Sequence, residues 1–455
     1  MAGRNAPWIL IFATLGATVM GGGASIGAVS KTYEWGMLMV VVSTGVFLQF
    51  IFSGLVVAPQ FRRWKLYTVA GYFGRRFDEK TRTLALVLSL VFSLFIIAAQ
   101  MAAFGSVLST LFPDLADDQT MIMWSIVIGS LMVVIYSTAG GILAVIHTDI
   151  YQFVVLFVGF SITLFGIAPD LIAKWGQVKE SVPPEFFSLE GGKGWLFMVT
   201  TFLAFLLGET FGPAYVTRFV IGKNIQHTRW GIAGVGIFLT FTFPIMIYFI
   251  ALYARIEFPA IAAQQALPSV VQHLHNPVIA GLIIAALLSA VMSSADSALN
   301  STTAIFTKDI FQHHLGWTDR GDGRQLKLAR KLTVVLGLMS GAIAVLFPDI
   351  IGLLLFTYHI WAPGVIVPIV VGTLMREKSP QLSTQVFITM LVAVVSTLAY
   401  RLTDFRDTFD PAVFGVLVAT ATFGALRLGW RLAGKHAIDP PQIDRGLDID
   451  GDSEA

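Results

Sequence analysis

Twelve apolar runs divide the chain, each about as long as the ~20 residues a helix needs to cross the hydrocarbon core of a bilayer. They lie near residues 7–30, 36–58, 83–112, 121–139, 148–169, 195–216, 231–253, 277–304, 332–347, 349–374, 382–400 and 411–427. This pattern predicts an all-α polytopic membrane protein of about 12 transmembrane helices. Barrel strands would alternate over ~10 residues instead of running apolar for 20. Composition agrees: of the 455 residues 55% are hydrophobic and 13% charged, against roughly 25% charged in soluble domains. The partner this implies is the lipid bilayer. A net charge of +2 gives no basis for a nucleic-acid partner, and no obligatory protein partner is evident.

Basic residues set the expected orientation, because inside loops retain Lys and Arg. With the N-terminus inside, only Lys31, Lys174, Lys179, Lys193, Arg255, Arg401 and Arg406 fall on the outer side, out of 30 basic residues. Both termini are therefore expected to face the cytoplasm, in a multi-pass protein of the cell membrane. The first run is not read as a cleaved signal, since glycines interrupt the unbroken apolar core such a segment requires. Beyond Trp430 the chain becomes acidic and apolar-poor, and residues 428–455 are expected to form a disordered cytoplasmic tail.

Two runs carry breaks that an anchor helix would avoid. Run 1 contains GGGASIG, which places Gly21, Gly22, Gly23 and Ser25 at mid-membrane; run 6 contains GETFGP, with Glu209 and Thr210 inside an apolar stretch. Such breaks free backbone N–H and C=O groups that hydrocarbon cannot satisfy, so they belong beside a polar cavity. Close helix packing through small residues is the alternative for a single glycine cluster. Position favours the cavity, because runs 1 and 6 each open a block of five, and interrupted helices at matching places in two halves point to a transporter's binding site. The expected units are 1–170 and 195–374 as two inverted repeats, with two accessory spans at 382–427.

Few ionisable residues lie within the runs: Glu209, Asp296, and His359 beside Tyr358. A carboxylate at that depth costs about 2.5–3.5 kcal/mol, so it should be paired or face water. Asp296 could otherwise cap a helix end. For Glu209 three partners are open: a cationic group on a solute, Arg218, or freed backbone N–H groups. Solute or gate is the favoured reading, with a lean towards substrates carrying an amino or ammonium group. In run 8, Ser293, Ser294, Ser297, Asn300 and Ser301 form one polar stripe at helical spacing. Hydroxyls suit a small monovalent cation, but such stripes also glue membrane helices together.

Four stretches resemble the sodium:solute symporter family: AGRNAPW (2–8) leading into the broken first run and TYEWG (32–36), YSTAGGILAVIHTDIYQ (136–152), YVTRFVIGKN (215–224) and ALLSAVMSSADSALNSTTAIFTKDI (286–310). The resemblance implies a five-plus-five inverted repeat of LeuT type, with helices 1 and 6 broken. It implies Na+ as coupling ion and a small-molecule solute (an amino acid, carboxylate or related compound) carried by alternating access. Its main sodium site would fall on the carbonyls of Ala17, Met20 and Ala290 and the hydroxyls of Ser293 and Ser294. A second sodium site found in some members would fall on Asp149, Ser293 and Ser297, with Asp296 where a serine would be favourable. Asp149 could instead only orient its linker. Substrate would meet Gly21, Gly22, Gly23, Ser25, Glu209, Thr210, Tyr358 and His359. Polar residues of the sugar-carrying branch are absent, with Val19 and Gly23 in their places. Most members carry one more helix ahead of Ala2, so the chain reads as a late start or as a twelve-span variant.

Rival functions find little support. There is no HExxH, P-loop or Gly-x-Ser-x-Gly for a membrane-embedded enzyme, and no repeated filter loop for a channel. Proton coupling on the same fold, through Asp149 or Asp296, is the serious alternative.

Overall fold

The computed structural model describes residues 5–112, 118–139, 142–317, 322–433 and 442–443. Residues 2–4 of the first family-like stretch, Gly140 and Gly141 of the second, and residues 434–441 and 444–455 of the expected tail lie outside these, while the tail's first residues continue the helix Pro411–Leu432. Among the described residues, ten helices are long and apolar enough to cross a membrane: Met37–Trp64, Glu79–Ser109, Thr120–Thr138, Thr148–Ala173, Ile225–Glu257, Pro277–His314, Gly323–Leu346, Ile350–Leu374, Pro380–Tyr400 and Pro411–Leu432. Two bent pairs complete the set, Trp8–Val19 with Gly23–Trp35 at 60° and Trp195–Gly208 with Pro213–Phe219 at 53°. Numbered in chain order, with each bent pair as one, these are spans 1–12, and the broken ones are 1 and 6. Each overlaps one of the twelve apolar runs.

Local chemistry sets where the helices start. Asp78, Asn224, Ser379 and Asp410 each cap an N-terminus by accepting a backbone N–H two or three residues on. Pro277, Pro380 and Pro411 occupy first helical positions, where the missing N–H costs nothing.

The packing pattern repeats with a shift of five spans. Span 1 packs on spans 5 and 7, and span 6 packs on spans 10 and 2. Span 3 packs on spans 4, 9 and 10, while span 8 packs on spans 9, 4 and 5. Every one of these pairs maps onto its counterpart, which is the signature of a five-plus-five repeat. Span 10 is enclosed, with 78% of its apolar window buried, whereas span 12 presents its surface outward with 22% buried. The breaks themselves lie inside, with residues 20–23 and 208–213 buried, and apolar side chains such as Phe165, Ile172 and Phe241 form the exposed surface that lipid would solvate.

Candidate ion and solute site

The breaks in spans 1 and 6 are built from close approach and from side chains that meet the freed backbone. At Gly21 an added Cβ would lie 2.3 Å from Ser294 Oγ, and at Gly22 it would lie 2.2 Å from the Ala103 Cβ. Glycine is therefore required for span 1 to touch spans 8 and 3. The Gly22 N–H donates to Gln100 Oε1 of span 3 at 2.7 Å. In span 6, Phe211 turns the chain with φ of 64°, a left-handed conformation that strains a bulky residue. Pro213 then opens the second half without an N–H to satisfy. The Thr210 carbonyl accepts from Trp361 Nε1 at 2.8 Å. Trp361→Phe removes that donor and leaves the carbonyl buried and alone. It should cost about 1–3 kcal/mol, read as a lower melting temperature of the purified protein; an unchanged melt would refute the pairing.

Where spans 1, 5 and 8 meet, oxygen atoms converge. Ser294 Oγ donates to the Thr18 carbonyl at 3.1 Å and lies 3.4 Å from that of Ala17. Ser293 Oγ donates to Asp149 Oδ1, and Thr14 Oγ1 donates to Asp149 Oδ2 at 2.6 Å. Met20 and Ala290 are buried in spans 1 and 8. Asp149 is fully buried. Asp296 sits inside the continuous helix Pro277–Ile305, not at its end. One of its oxygens accepts from Asn300 Nδ2 at 3.0 Å, and the other makes no hydrogen bond of ordinary length among the described residues, with the Ser137 hydroxyl nearby.

Arg218 enters from the second half of span 6. Its guanidinium donates to Ser297 Oγ at 2.7 Å and lies 3.6 Å from Asp149 Oδ2. Glu209 is bonded elsewhere, accepting from Tyr215 Oη at 2.5 Å and Tyr358 Oη at 2.6 Å. These two phenols are partners the sequence reading did not weigh.

A narrow cavity of about 50 Å3 lies between the broken spans, reached by Thr18, Gly23, Gln100, Glu209, Ser294 and Tyr358 among others. Phe47, Phe92, Phe205 and Tyr215 supply its aromatic walls. Of the eight substrate candidates, Gly23, Glu209 and Tyr358 line it. Gly21 and Gly22 instead pack against spans 8 and 3, Ser25 Oγ turns back onto the Gly21 carbonyl at 2.6 Å, and Thr210 bonds to Leu206 and Trp361. His359 faces span 12, with Nε2 3.5 Å from Asp410 Oδ1. A wider vestibule of about 1060 Å3 opens at one end of the bundle, beside Lys31, Glu34, Ser109 and Asp349.

Comparison with known proteins agrees with this architecture. The "Substrate-bound outward-open state of a Na+-coupled sialic acid symporter" superposes with a TM-score of 0.76 at 21% identity, covering 94% of this chain and 91% of that one. The sodium/glucose cotransporter of Vibrio parahaemolyticus is 24% identical over 387 residues, which is 76% of this chain. The sodium/sialic acid symporter NanT of Aliivibrio fischeri is 29% identical over 333 residues, which is 70% of it. The aligned part spans 68% and 64% of those relatives' own lengths, so the chain spans about two thirds of the curated relatives it matches. A model of the sodium:solute symporter family matches residues 1–381. This multi-pass membrane protein belongs to the sodium:solute symporter family.

Proposed function

We propose that the chain couples sodium entry to the uptake of a small organic solute by alternating access, in the cell membrane with both termini cytoplasmic. The observation that carries this reading is the Ser294 hydroxyl, which bridges span 8 to the Ala17 and Thr18 carbonyls of the broken span 1. Sodium held by Ala17, Met20, Ala290, Ser293 and Ser294 would tie the two spans together, and separating them would release it. Residues 1–170 and 195–374 would be the two moving repeats, with 382–427 accessory. One ion entering across about 100 mV releases ~2.3 kcal/mol, and a tenfold concentration gradient adds ~1.4 kcal/mol. Together they sustain roughly a 500-fold gradient of a neutral solute.

The cavity of about 50 Å3 is far below the ~300–1,000 Å3 of open ligand pockets. A solute would enter from the vestibule as the helices part, then be enclosed. Aromatic walls around one carboxylate favour a solute with an ammonium or amino group, through cation–π and charge contacts. The test is thermal melting of purified protein in sodium chloride against choline chloride, with a panel of amino acids, carboxylates, vitamins and quaternary amines. A ligand at a hundred times its dissociation constant stabilises by ~2.7 kcal/mol. Ser294→Ala removes one oxygen and should raise the sodium concentration for half-maximal stabilisation about tenfold, equivalent to ~1.4 kcal/mol. Unchanged sodium dependence in a well-folded variant would sink the site.

One observation favours a second reading, coupling by protons. The oxygen of buried Asp296 that makes no hydrogen bond of ordinary length is a place where a proton could ride. Uptake driven by a pH gradient with choline replacing all sodium would support it.

A further inference from the structure

Resting on the sodium-coupled reading, we infer that Arg218 is a tethered cation that fills the Asp149 cluster, so that one sodium ion, not two, binds per cycle. One carboxylate with the hydroxyls of Thr14, Ser293 and Ser297 is a hard-oxygen set suited to a small monovalent cation. The cation present there belongs to the chain. Arg218 donates to Ser297 Oγ at 2.7 Å and approaches Asp149 Oδ2 at 3.6 Å, and both residues are buried.

The remaining bonds of Arg218 fix it in that position. Its Nη1 donates to the Ala214 carbonyl and to Thr217 Oγ1, both at 3.0 Å and both on its own half-helix. Each oxygen of Asp149 already accepts a hydroxyl hydrogen as well. A sodium ion entering the cluster would find Ser297 Oγ already bonded to the guanidinium, both Asp149 oxygens already accepting hydroxyl hydrogens, and a like charge beside it. At about 4 Å and an effective dielectric of about 20, that repulsion weakens binding on the order of a thousandfold. Arg218 rides on span 6 while Asp149 and Ser297 sit on spans 5 and 8, so the guanidinium ties the second half of span 6 to both.

The test uses the purified full chain and needs no solute. Once sodium saturates its sites, stabilisation grows with the logarithm of its concentration in proportion to the ions bound. With choline chloride holding ionic strength constant, Arg218→Ala should double the wild-type slope of melting temperature against log sodium. Arg218→Lys, which keeps the charge, should hold the wild-type slope. Adding Asp149→Asn to Arg218→Ala should return the doubled slope to the wild-type value. Arg218→Gln, neutral and closer in size, serves if the alanine variant does not fold. A folded neutral variant with the wild-type slope overturns the inference while leaving sodium coupling intact. So does counting two radiolabelled sodium ions per wild-type chain. A wild type that sodium does not stabilise over choline removes the sodium reading itself, and this inference with it.

Discussion

Glu209→Ala is expected to melt well below the wild type, because the change strips the acceptor from two buried phenols at once. Tyr215, from the second half of span 6, and Tyr358, from span 10, each donate to one oxygen of Glu209, at 2.5 and 2.6 Å. All three side chains are buried and border the narrow cavity. An unpaired buried hydroxyl costs about 1–3 kcal/mol, and the void adds to it; a total of roughly 3–5 kcal/mol follows. Glu209→Gln keeps one carbonyl acceptor and the shape, so its loss should be smaller. Tyr358→Phe removes one donor and leaves the other bond intact. A cycle built from Glu209→Gln and Tyr358→Phe should therefore show coupling, since both act on the same bond. If Glu209→Ala melts with the wild type, the carboxylate does not anchor the two tyrosines. If Glu209→Gln also binds every amino compound as the wild type does between pH 5.5 and 8, the ammonium preference goes.

This result bears on how much the sequence could show. Spans are legible because hydrocarbon leaves no option but an unbroken apolar helix. Their ends are less so: the ninth run begins at 332, after Arg330 and Lys331, while its helix begins near Gly323. Backbone hydrogen bonding continues past the point where side chains stop being apolar, so helices outrun the hydropathy window. The two breaks are legible for the same reason, since Gly21–Gly23 and Gly212–Pro213 cannot pass for ordinary helix.

What satisfies the breaks is not legible. Gln100 leaves a faint trace, a lone amide in an apolar run, and it meets the Gly22 N–H. Trp361 leaves none, because tryptophan counts as apolar in any such scan, yet its N–H holds the Thr210 carbonyl. Arg218 is the nearest basic residue to Glu209 in sequence, but on a straight helix it would lie about 2.5 turns away on the opposite face. The left-handed turn at Phe211 swings the second half of span 6, and Arg218 faces Asp149 instead. Pairings separated by 79 or 149 positions, such as Arg218–Ser297 and Glu209–Tyr358, arise from how the spans pack. No local spacing encodes them.

The contact between spans 1 and 8 gives the second large effect. Gly21→Ala should raise the sodium concentration for half-maximal stabilisation by roughly a hundredfold or more while leaving a folded protein. A Cβ at Gly21 would stand 2.3 Å from Ser294 Oγ, 2.6 Å from Ser294 Cβ and 2.8 Å from Gln100 Oε1. The hydroxyl can rotate away and Gln100 can swing, but Ser294 Cβ is fixed to the span 8 backbone. Span 1 must therefore move off span 8 by about 1 Å to restore van der Waals contact. That shift widens the distance from Ser294 to the Ala17 and Thr18 carbonyls, now 3.4 and 3.1 Å. Sodium needs its oxygens at fixed close range, so losing two ligands' reach should weaken it by roughly a hundredfold or more, about 2.7 kcal/mol. Gly281→Ala is the control, since it lies in span 8 and nothing stands within 4 Å of its added Cβ. It tests a glycine-to-alanine change without a collision, and its sodium dependence should match the wild type. If Gly21→Ala keeps the wild-type midpoint for sodium, the ion does not bind between spans 1 and 8, whatever the glycines do for packing.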